Sequence, residues 1–172
     1  MMKSAVIALL ERKSGERGLT GKVAALIADR PAAFPELMFG LWHVDGYVRE
    51  RAADAIAGIT RERPQYLQPF KAELLGVMAE ARPASVRWHL AALAPRLKLN
   101  KKERRQAMEI LHRYLGDRST VVKASALDSL ADLADQDAGI RAEIVQILET
   151  FIRTAQPPMK MWGQKKLDRL TK

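Results

Sequence analysis

Apolar residues recur along this chain at the spacing of α-helices, and one such pattern returns four times at an almost constant interval. Its first copy is anchored at Val48, and the equivalents Val86, Val122 and Met159 follow at intervals of 38, 36 and 37 residues. Small or apolar residues follow each anchor at offsets 4, 8 and 11, which place them on one face of a helix. They are Ala52, Ile56, Ile59, Leu90, Ala94, Leu97, Ala126, Leu130, Leu133, Gly163, Leu167 and Leu170. The pattern predicts four repeats, each with a B helix that starts near its anchor.

A second helical stripe precedes each anchor, so each repeat is predicted to be a helix pair, A then B. The stripes are Phe34, Leu37, Met38 and Leu41; Leu67, Phe70, Leu74, Val77 and Met78; Met108, Leu111, Tyr114 and Leu115; and Ile140, Ile144, Ile147, Leu148 and Phe151. Glycine, proline or asparagine stands where the helices must end. These breaks are Gly46, Gly116 and Pro157-Pro158 within pairs, and Pro64 and Asn100 between repeats.

The N-terminal thirty residues have the form of a degenerate fifth pair, Met2 to Lys13 and then Leu19 to Asp29. A terminal pair is expected to be atypical because one of its sides faces water. We therefore predict an all-α fold, an α-α superhelix of four helical pairs with an N-terminal capping pair, in a single domain. The predicted segments are 1–30 for the capping pair and 31–64, 65–99, 100–136 and 137–172 for the repeats.

Three local features refine this prediction. Pro95 lies inside the second B helix and should kink or shorten it, because proline lacks the amide that helix propagation needs. The first A helix, Ala32 to His43, is expected to be shorter than the others. Asn100 followed by Glu103 has the form of a capping box, which opens a helix at Lys101.

The turn before the third anchor carries a family resemblance. It reads Leu115-Gly116-Asp117-Arg118-Ser119-Thr120-Val121-Val122-Lys123, followed by Ala126, Leu127, Leu130 and Leu133. Helix pairs of about 37 residues whose B helix opens in this way resemble HEAT repeats. The match is partial elsewhere: Asp45 stands three residues before its anchor, not five, and Ala81 and Thr154 replace the aspartate in two repeats. The resemblance implies a curved α-α solenoid with the B helices on its concave face. HEAT proteins bind proteins, nucleic acids or, rarely, small molecules, so it leaves the function open.

Composition restricts the chemistry. The chain of 172 residues has no cysteine, which excludes disulfides, thiolate nucleophiles and cysteine metal sites. Its three histidines, His43, His89 and His112, are not at ligand spacing, so neither a metal nor another cofactor is expected. We find no glycine-rich phosphate loop and no catalytic constellation, and so predict no catalytic residue. No apolar run approaches the roughly 20 residues of a membrane span, so a soluble, cytoplasmic protein is expected.

The formal charge of +9 is concentrated in two segments. Residues 98–105 have a net charge of +4 and residues 153–172 a net charge of +5, so the rest of the chain is neutral. Any affinity of this basic protein for polyanions should therefore be local.

Two sets of charged side chains on the B helices are interpreted as structural. A base follows each anchor: Arg49, Arg87, Lys123 and Lys160. They could form a ladder for phosphates or acidic peptides, but bonds to turn aspartates or to carbonyls of neighbouring repeats are favoured. An acidic stripe comprises Asp128, Asp132 and Asp135. Stacking of the repeats should place Asp128 opposite Lys165, and Asp132 between Arg96 and Arg169, within salt-bridge reach.

The candidates for ligand contact are aromatic and basic. Trp88 with His89, and Trp162, could stack on a base or anchor a peptide, or could pack between helices. Phe39 and Trp42 are expected in the core instead. The basic candidates are Arg51, Arg96, Lys101, Lys102, Arg104 and Arg105. The last four belong to segment 98–105, a loop and first helical turn that could contact phosphate, and three cations in that turn oppose the helix dipole.

Two functions remain open at this point. The first is a non-enzymatic protein-interaction module or scaffold with an unidentified protein partner. The second is a nucleic-acid-binding HEAT-like protein, for which a relation to the DNA glycosylases that act on alkylated bases stays open. A nucleic-acid binder should gather its bases in the concave groove, whereas an interaction module should expose an apolar or mixed patch and pair or disperse its bases.

Overall fold

A computed structural model describes residues 4–12 and 18–172 of the chain, and every regular element in those two ranges is helical. The α-helices are α1 (Ala5–Leu10), α2 (Leu19–Asp29), α3 (Phe34–Phe39), α4 (Gly46–Glu62), α5 (Lys71–Glu80), α6 (Ala84–Ala91), α7 (Lys101–Tyr114), α8 (Thr120–Gln136), α9 (Ala138–Thr154) and α10 (Pro157–Thr171). Short 3-10 helices occupy Pro31–Ala33, Gly40–Trp42, Pro64–Phe70 and Ala94–Arg96. The all-α prediction is confirmed.

The chain divides into two compact units. The first ends at Phe70, and the second comprises Lys71–Lys172. The first unit contains α1 to α4 and the 3-10 helix Pro64–Phe70, and the second contains α5 to α10. The division falls within residues 65–99, which the repeat pattern assigns to one repeat.

In the first unit, α4 packs against α1, α2 and α3. At Gly40 the chain packs closely on α4, because a Cβ atom there would lie 2.8 Å from the Cβ of Ala52 and 3.1 Å from a methyl carbon of Leu10. The first A helix is short, as predicted, because α3 has six residues and a 3-10 helix at each end. Glycine at position 40 therefore allows this irregular segment to pack directly on the B helix.

The prediction that Phe39 and Trp42 belong to the core is wrong. Phe39 is 69% exposed and Trp42 is 51% exposed. The predicted stripe of Phe34, Leu37, Met38 and Leu41 is buried, with each member at most 3% exposed. Phe39 directly follows Met38, and Trp42 directly follows Leu41, so neither lies on the buried stripe. The residue that faces α4 between them is Gly40, which has no side chain. The helical period therefore directs both aromatic rings outward.

In the second unit, α8 is the central helix and packs against α6, α7, α9 and α10. Its anchor Val122 and the offset positions Ala126, Leu130 and Leu133 are all fully buried. In the fourth repeat Gly163 takes the place of Ala126, and a Cβ there would lie 3.0 Å from the side chain of Ile152. Gly163 and Leu170 of this repeat are buried, whereas Met159 and Leu167 are half-buried. The predicted B-helix faces thus form part of the core, with the terminal repeat less completely covered.

The proline break in the second B helix is present as predicted. Helix α6 ends at Ala91, and a 3-10 helix follows. In a continuous helix the Ala91 carbonyl would accept the N–H of residue 95, which in proline does not exist. The hydroxyl of Ser129 on α8 donates to this carbonyl at 2.8 Å, and that of Ser125 donates to the Trp88 carbonyl at 2.7 Å. The neighbouring helix thus satisfies carbonyls at the end of α6.

The predicted capping box opens α7. The side-chain oxygen of Asn100 accepts the N–H of Glu103 at 2.9 Å, and the Glu103 carboxylate accepts the N–H of Asn100 at 2.8 Å. Glu103 also pairs with Lys71 of α5 at 3.0 Å. These contacts lower the pKa of Glu103, first through the Asn100 N–H and then through Lys71. The start of α7 is thereby tied to α5.

Candidate functional site

Two of the four bases that follow the anchors bond to turns. Arg49 donates to the carbonyls of His43 and Val44 at 2.6 and 2.9 Å. Arg87 pairs with Asp117 of the next turn at 2.6 Å and donates to the Ala81 carbonyl at 3.4 Å. Arg87 bonds a turn aspartate of the next repeat, as the structural interpretation predicts, whereas Arg49 bonds carbonyls of its own repeat.

The acidic stripe of α8 is paired with bases of α10. Asp132 and Asp135 both contact Arg169, at 2.9 and 3.1 Å. Asp128 pairs with Lys166, so the prediction that it faces Lys165 is wrong by one residue. One residue on a helix is a rotation of about 100°, and it is Lys166 that faces α8 while Lys165 is exposed. The stripe therefore joins α8 to α10 as predicted, through the expected Asp132–Arg169 pair and with Lys166 in place of Lys165.

A groove of about 520 Å³ lies beside this stripe, between α8 and the end of α6. It is lined by Arg96, Ser125 and Ser129 together with the three carboxylates of the stripe. Arg96 is half-buried there. Because both serine hydroxyls and all three carboxylates bond within the protein, the groove presents a charge-balanced surface.

The aromatic candidates occupy different environments. The ring of Trp88 is half-buried and stacks on His89 with 3.5 Å between centroids. His89 is only 6% exposed, so it packs inside the helix layer and does not present a ligand-contacting ring. Trp162 is 41% exposed, and its Nε1 donates to Asp128 at 3.3 Å. The Nζ of Lys166 lies 5.5 Å from its ring centroid, a cation–π arrangement.

Arg51 bonds backbone in the first unit. Its Nη1 donates to the carbonyls of Leu10 and Arg12 at 2.7 and 2.5 Å. Leu10 is the last residue of α1, so these bonds satisfy carbonyls at a helix end. The guanidinium of Arg51 therefore fixes the end of α1 against α4.

The basic segment 98–105 is divided in role. Arg104 pairs with Asp137, the N-cap residue of α9, and donates to the Leu99 carbonyl at 3.0 Å. The pKa of Asp137 is lowered, first by the N–H of Gly139 at 2.8 Å and then by Arg104.

Arg105, the residue after Arg104, contacts Glu143 of α9 at 2.6 Å and Glu109 of its own helix at 3.2 Å. Lys101 and Lys102 are exposed in the first turn of α7. The two arginines thus hold α9 against α7, and the two lysines are the cations of this turn that face solvent.

One exposed apolar surface was missed by the sequence pattern. Between the end of α3 and the start of α4, four large apolar side chains are at least half exposed: Phe39 at 69%, Trp42 at 51%, Val44 at 91% and Tyr47 at 69%. We name these four residues the turn cluster. The available signal was their position outside the buried stripe of α3 and outside the face defined by the Val48 anchor.

Polar contacts hold the turn that carries this cluster. Asp45 is the N-cap of α4, and its Oδ1 accepts the N–H of Tyr47 at 2.8 Å. Arg49 bonds the carbonyls of His43 and Val44 from the first turn of the same helix. The backbone of the cluster is therefore fixed at both ends of the turn, which pre-organises its exposed side chains.

The described part of the chain contains no group of three histidine or acidic side chains arranged to hold a metal ion. Within the same residues, no helix combines the length and apolar character needed to cross a bilayer.

The fold can now be compared with known proteins. No protein-family model and no curated protein matches the chain. Among solved structures it is similar to "Designed armadillo repeat protein YIII(Dq.V1)4CPAF in complex with peptide (KR)4", with a TM-score of 0.65 over 97% of this chain and 81% of that chain. The fold is an α-α solenoid.

At 18% sequence identity, the likeness to the designed protein concerns the fold alone. An α-α solenoid stacks helix pairs so that each repeat contacts its neighbours, and such folds are typically binding scaffolds. Membership of the HEAT family within this class stays a prediction. The fold does not name the activity, so function rests on the surfaces described above.

Proposed function

We propose that this chain is a non-enzymatic protein-interaction module that binds a partner protein through the turn cluster. The observation that carries the proposal is the exposure of four large apolar side chains within nine residues, Phe39 to Tyr47. Folded proteins bury such side chains where they can, and contiguous exposed apolar patches characterise interaction sites. Aromatic residues such as Trp42 and Tyr47 are also enriched among the residues that contribute most binding energy.

The charge distribution supports protein binding over nucleic-acid binding. Of the eleven bases in segments 98–105 and 153–172, those that pair with carboxylates include Arg104, Arg105, Lys166 and Arg169, and Arg87 outside these segments does so too. Part of the localised positive charge is therefore compensated within the protein. The turn cluster itself is apolar, and its neighbouring cation Arg49 bonds backbone carbonyls. The similar designed armadillo protein was solved with a peptide, which is consistent with this use of the fold.

The partner that fits the turn cluster is an apolar surface of another protein. Val44 and Tyr47 project from a turn fixed by Asp45 and Arg49, so little ordering of this backbone should accompany binding. Burial of the four side chains against apolar atoms should give a negative heat-capacity change.

The test removes the exposed apolar surface without touching the core. The variant Phe39→Ser, Val44→Ser, Tyr47→Ser changes the three most exposed members of the cluster and keeps Trp42, the least exposed of the four. Proteins that bind to the immobilised wild-type chain are identified and purified. Each is then titrated against the wild type and against the variant by calorimetry. We expect a one-to-one complex that the variant weakens at least about tenfold, equivalent to about 1.4 kcal/mol.

The matched control is Met161→Ser, which removes a side chain that is 72% exposed in the second unit. It should leave the affinity of the same partner unchanged. The proposal fails if no purified partner distinguishes the triple variant from the wild type. It also fails if the chain binds duplex or single-stranded DNA at about 50 mM salt with a steep salt dependence that the triple variant retains.

A further inference from the structure

A second groove lies on the second unit, between the C-terminal ends of α7 and α9. It encloses about 410 Å³. Its floor is apolar, formed by Leu115, Ile147 and Phe151. Arg113 of α7 and Thr150 of α9 also line it. None of these residues belongs to the turn cluster, so this surface is separate from the one proposed above.

The groove exists because α7 and α9 are held together at their opposite ends. Arg104 pairs with Asp137 and Arg105 with Glu143, both near the start of the two helices. Towards its end, α9 buries Leu148 and Ile152 in the core, whereas Ile147 and Phe151 stay half-buried. The two half-buried side chains therefore form a floor that no residue of the described chain covers.

The charge of this groove has one sign. His112 and Arg113 are its ionisable lining residues, and no carboxylate lines it. Within the described residues, neither side chain has a hydrogen-bond or ion-pair partner. Arg113 therefore offers the donors of an uncompensated guanidinium at the edge of an apolar surface.

The helix-end carbonyls at this groove are already occupied. The carbonyls of His112 and Arg113 accept the N–H groups of Leu115 and Gly116, both at 3.1 Å, and the Phe151 carbonyl accepts the N–H of Ala155 at 2.9 Å. These oxygens therefore do not need the arginine as a donor. The guanidinium of Arg113 and the apolar side chains of the lining therefore remain available to a ligand.

We propose that the α7–α9 groove binds a short peptide segment of a partner protein that combines a bulky apolar side chain with a carboxylate. The apolar side chain packs on Ile147 and Phe151, and the carboxylate pairs with the guanidinium of Arg113. Arginine suits this role because its planar fork can bind both carboxylate oxygens. A small, mostly apolar concavity with one oriented charge is the usual form of such a site.

The probe is an array of short synthetic peptides in a Gly-Ser background. Each peptide contains one Glu or Asp and one Leu or Phe, and the array samples every separation between these two residues. One companion array replaces the acid by Lys, and another replaces the apolar residue by Ser. Binding of the labelled full chain is measured on the arrays, and the strongest peptides are then titrated in solution by fluorescence anisotropy. We expect binding to the combined acidic and apolar set above both companion sets.

Two variants assign the binding to the groove. Arg113→Glu reverses the charge, and Thr150→Trp fills the groove from an exposed position. Each variant should lower the affinity for the peptide about tenfold or more. The control Arg153→Glu makes the same change of net charge at an exposed residue of α9 outside the groove lining. It should bind like the wild type, and thermal unfolding establishes that all three variants fold.

The proposal is overturned if the acidic and apolar peptides bind no better than either companion set, or if both groove variants bind like the wild type. It is equally overturned if Arg113→Glu abolishes binding of a single-stranded oligonucleotide while no peptide binds. The turn-cluster variant should retain peptide binding, so this proposal and the proposed function can fail separately.

Discussion

At the scale of single residues, Tyr114 shows how a polar atom in the core is accommodated. Its side chain is only 7% exposed, and its hydroxyl donates to the carbonyl of Met78 near the end of α5. Burial raises the pKa of Tyr114 to about 12, with the nearby charge of Arg87 opposing the shift. The neutral phenol thus connects α7 to α5.

This burial predicts a loss of stability in alkali. Because the pKa of Tyr114 is higher in the folded chain than the ordinary value of 10.0, its contribution is complete below pH 10 and is lost as the pH rises towards 12. The difference in unfolding free energy between the wild type and Tyr114→Phe should shrink over that window by an amount on the order of 2–3 kcal/mol. Urea unfolding at a series of pH values measures it.

Tyrosinate absorbance provides the internal control for this prediction. The folded wild type should show a tyrosinate absorbance step towards pH 12, and this step should be missing in Tyr114→Phe. If the two absorbance curves coincide towards pH 12 while the chain is folded, the assigned environment of Tyr114 is incorrect.

The sequence predicted which residues are buried better than it predicted which are exposed. The stripe of Phe34, Leu37, Met38 and Leu41 followed from periodicity, because a core-facing side chain must keep the helical period. Phe39 and Trp42 were assigned to the core by their chemistry, although they lie off that period. Hydrophobic character alone cannot place a side chain inside, because much of a folded protein's surface is apolar.

At the scale of elements, the start of α7 combines a cap with an ion pair. Glu103 accepts the N–H of Asn100 and contacts Lys71 of α5, and both contacts require its ionised form. They lower the pKa of Glu103 below its ordinary value of 4.5. A group whose pKa falls on folding stabilises the fold above its unfolded pKa, and this contribution disappears as the pH falls through the folded pKa.

The corresponding prediction concerns the stability of the chain at low pH. Glu103→Gln should be less stable than the wild type at neutral pH, and the difference between them should narrow once the pH falls below 4.5. The measurement is the urea unfolding midpoint across that pH range. Glu109→Gln is the control, because it removes another carboxylate of α7 and leaves the capping box intact. A pH-independent difference for Glu103→Gln would show that its charge plays no part.

Helix ends with explicit chemical signals were predictable, and irregular geometry was not. The bounds of α2 and the capping box at Asn100 were predicted correctly, and Pro95 marked the break after α6. The 3-10 helix Gly40–Trp42 was not predicted, because its local sequence is compatible with a continued α-helix. Packing of Gly40 on Ala52 decides that geometry, and this contact involves residues distant in sequence.

At the scale of the whole molecule, the repeat period predicted the solenoid fold but not the two surfaces that we propose bind a partner. The period arises from residues that contact neighbouring helices, and these are buried. Binding surfaces consist of the residues that differ between repeats. The turn cluster is one such departure, and the α7–α9 groove is another, because Ile147 and Phe151 belong to a predicted core stripe yet stay half-buried.

Unequal burial among helices predicts unequal local stability within the second unit. Helix α8 packs against four other helices, whereas α10 packs against α8 and α9 and exposes Met161 and Lys165. Local opening costs least where few apolar contacts are lost. Hydrogen exchange followed by NMR should therefore find the slowest amides of this unit in α8 and faster ones in α10. Slower exchange in α10 than in α8 would contradict this.

The proline break after α6 also bears on how such a chain could be rebuilt or lengthened. Ser129 supplies the hydrogen bond that Pro95 removes from Ala91, and Gln136 on the same helix donates to the Pro95 carbonyl at 2.8 Å. The repeat that contains the proline break therefore depends on hydrogen bonds from α8 in the next repeat. Copying, deleting or exchanging either one alone would leave a carbonyl unsatisfied or a hydroxyl without its acceptor. For this part of the chain, the unit that can be transplanted is the pair of neighbouring repeats, although the sequence period suggests a single one.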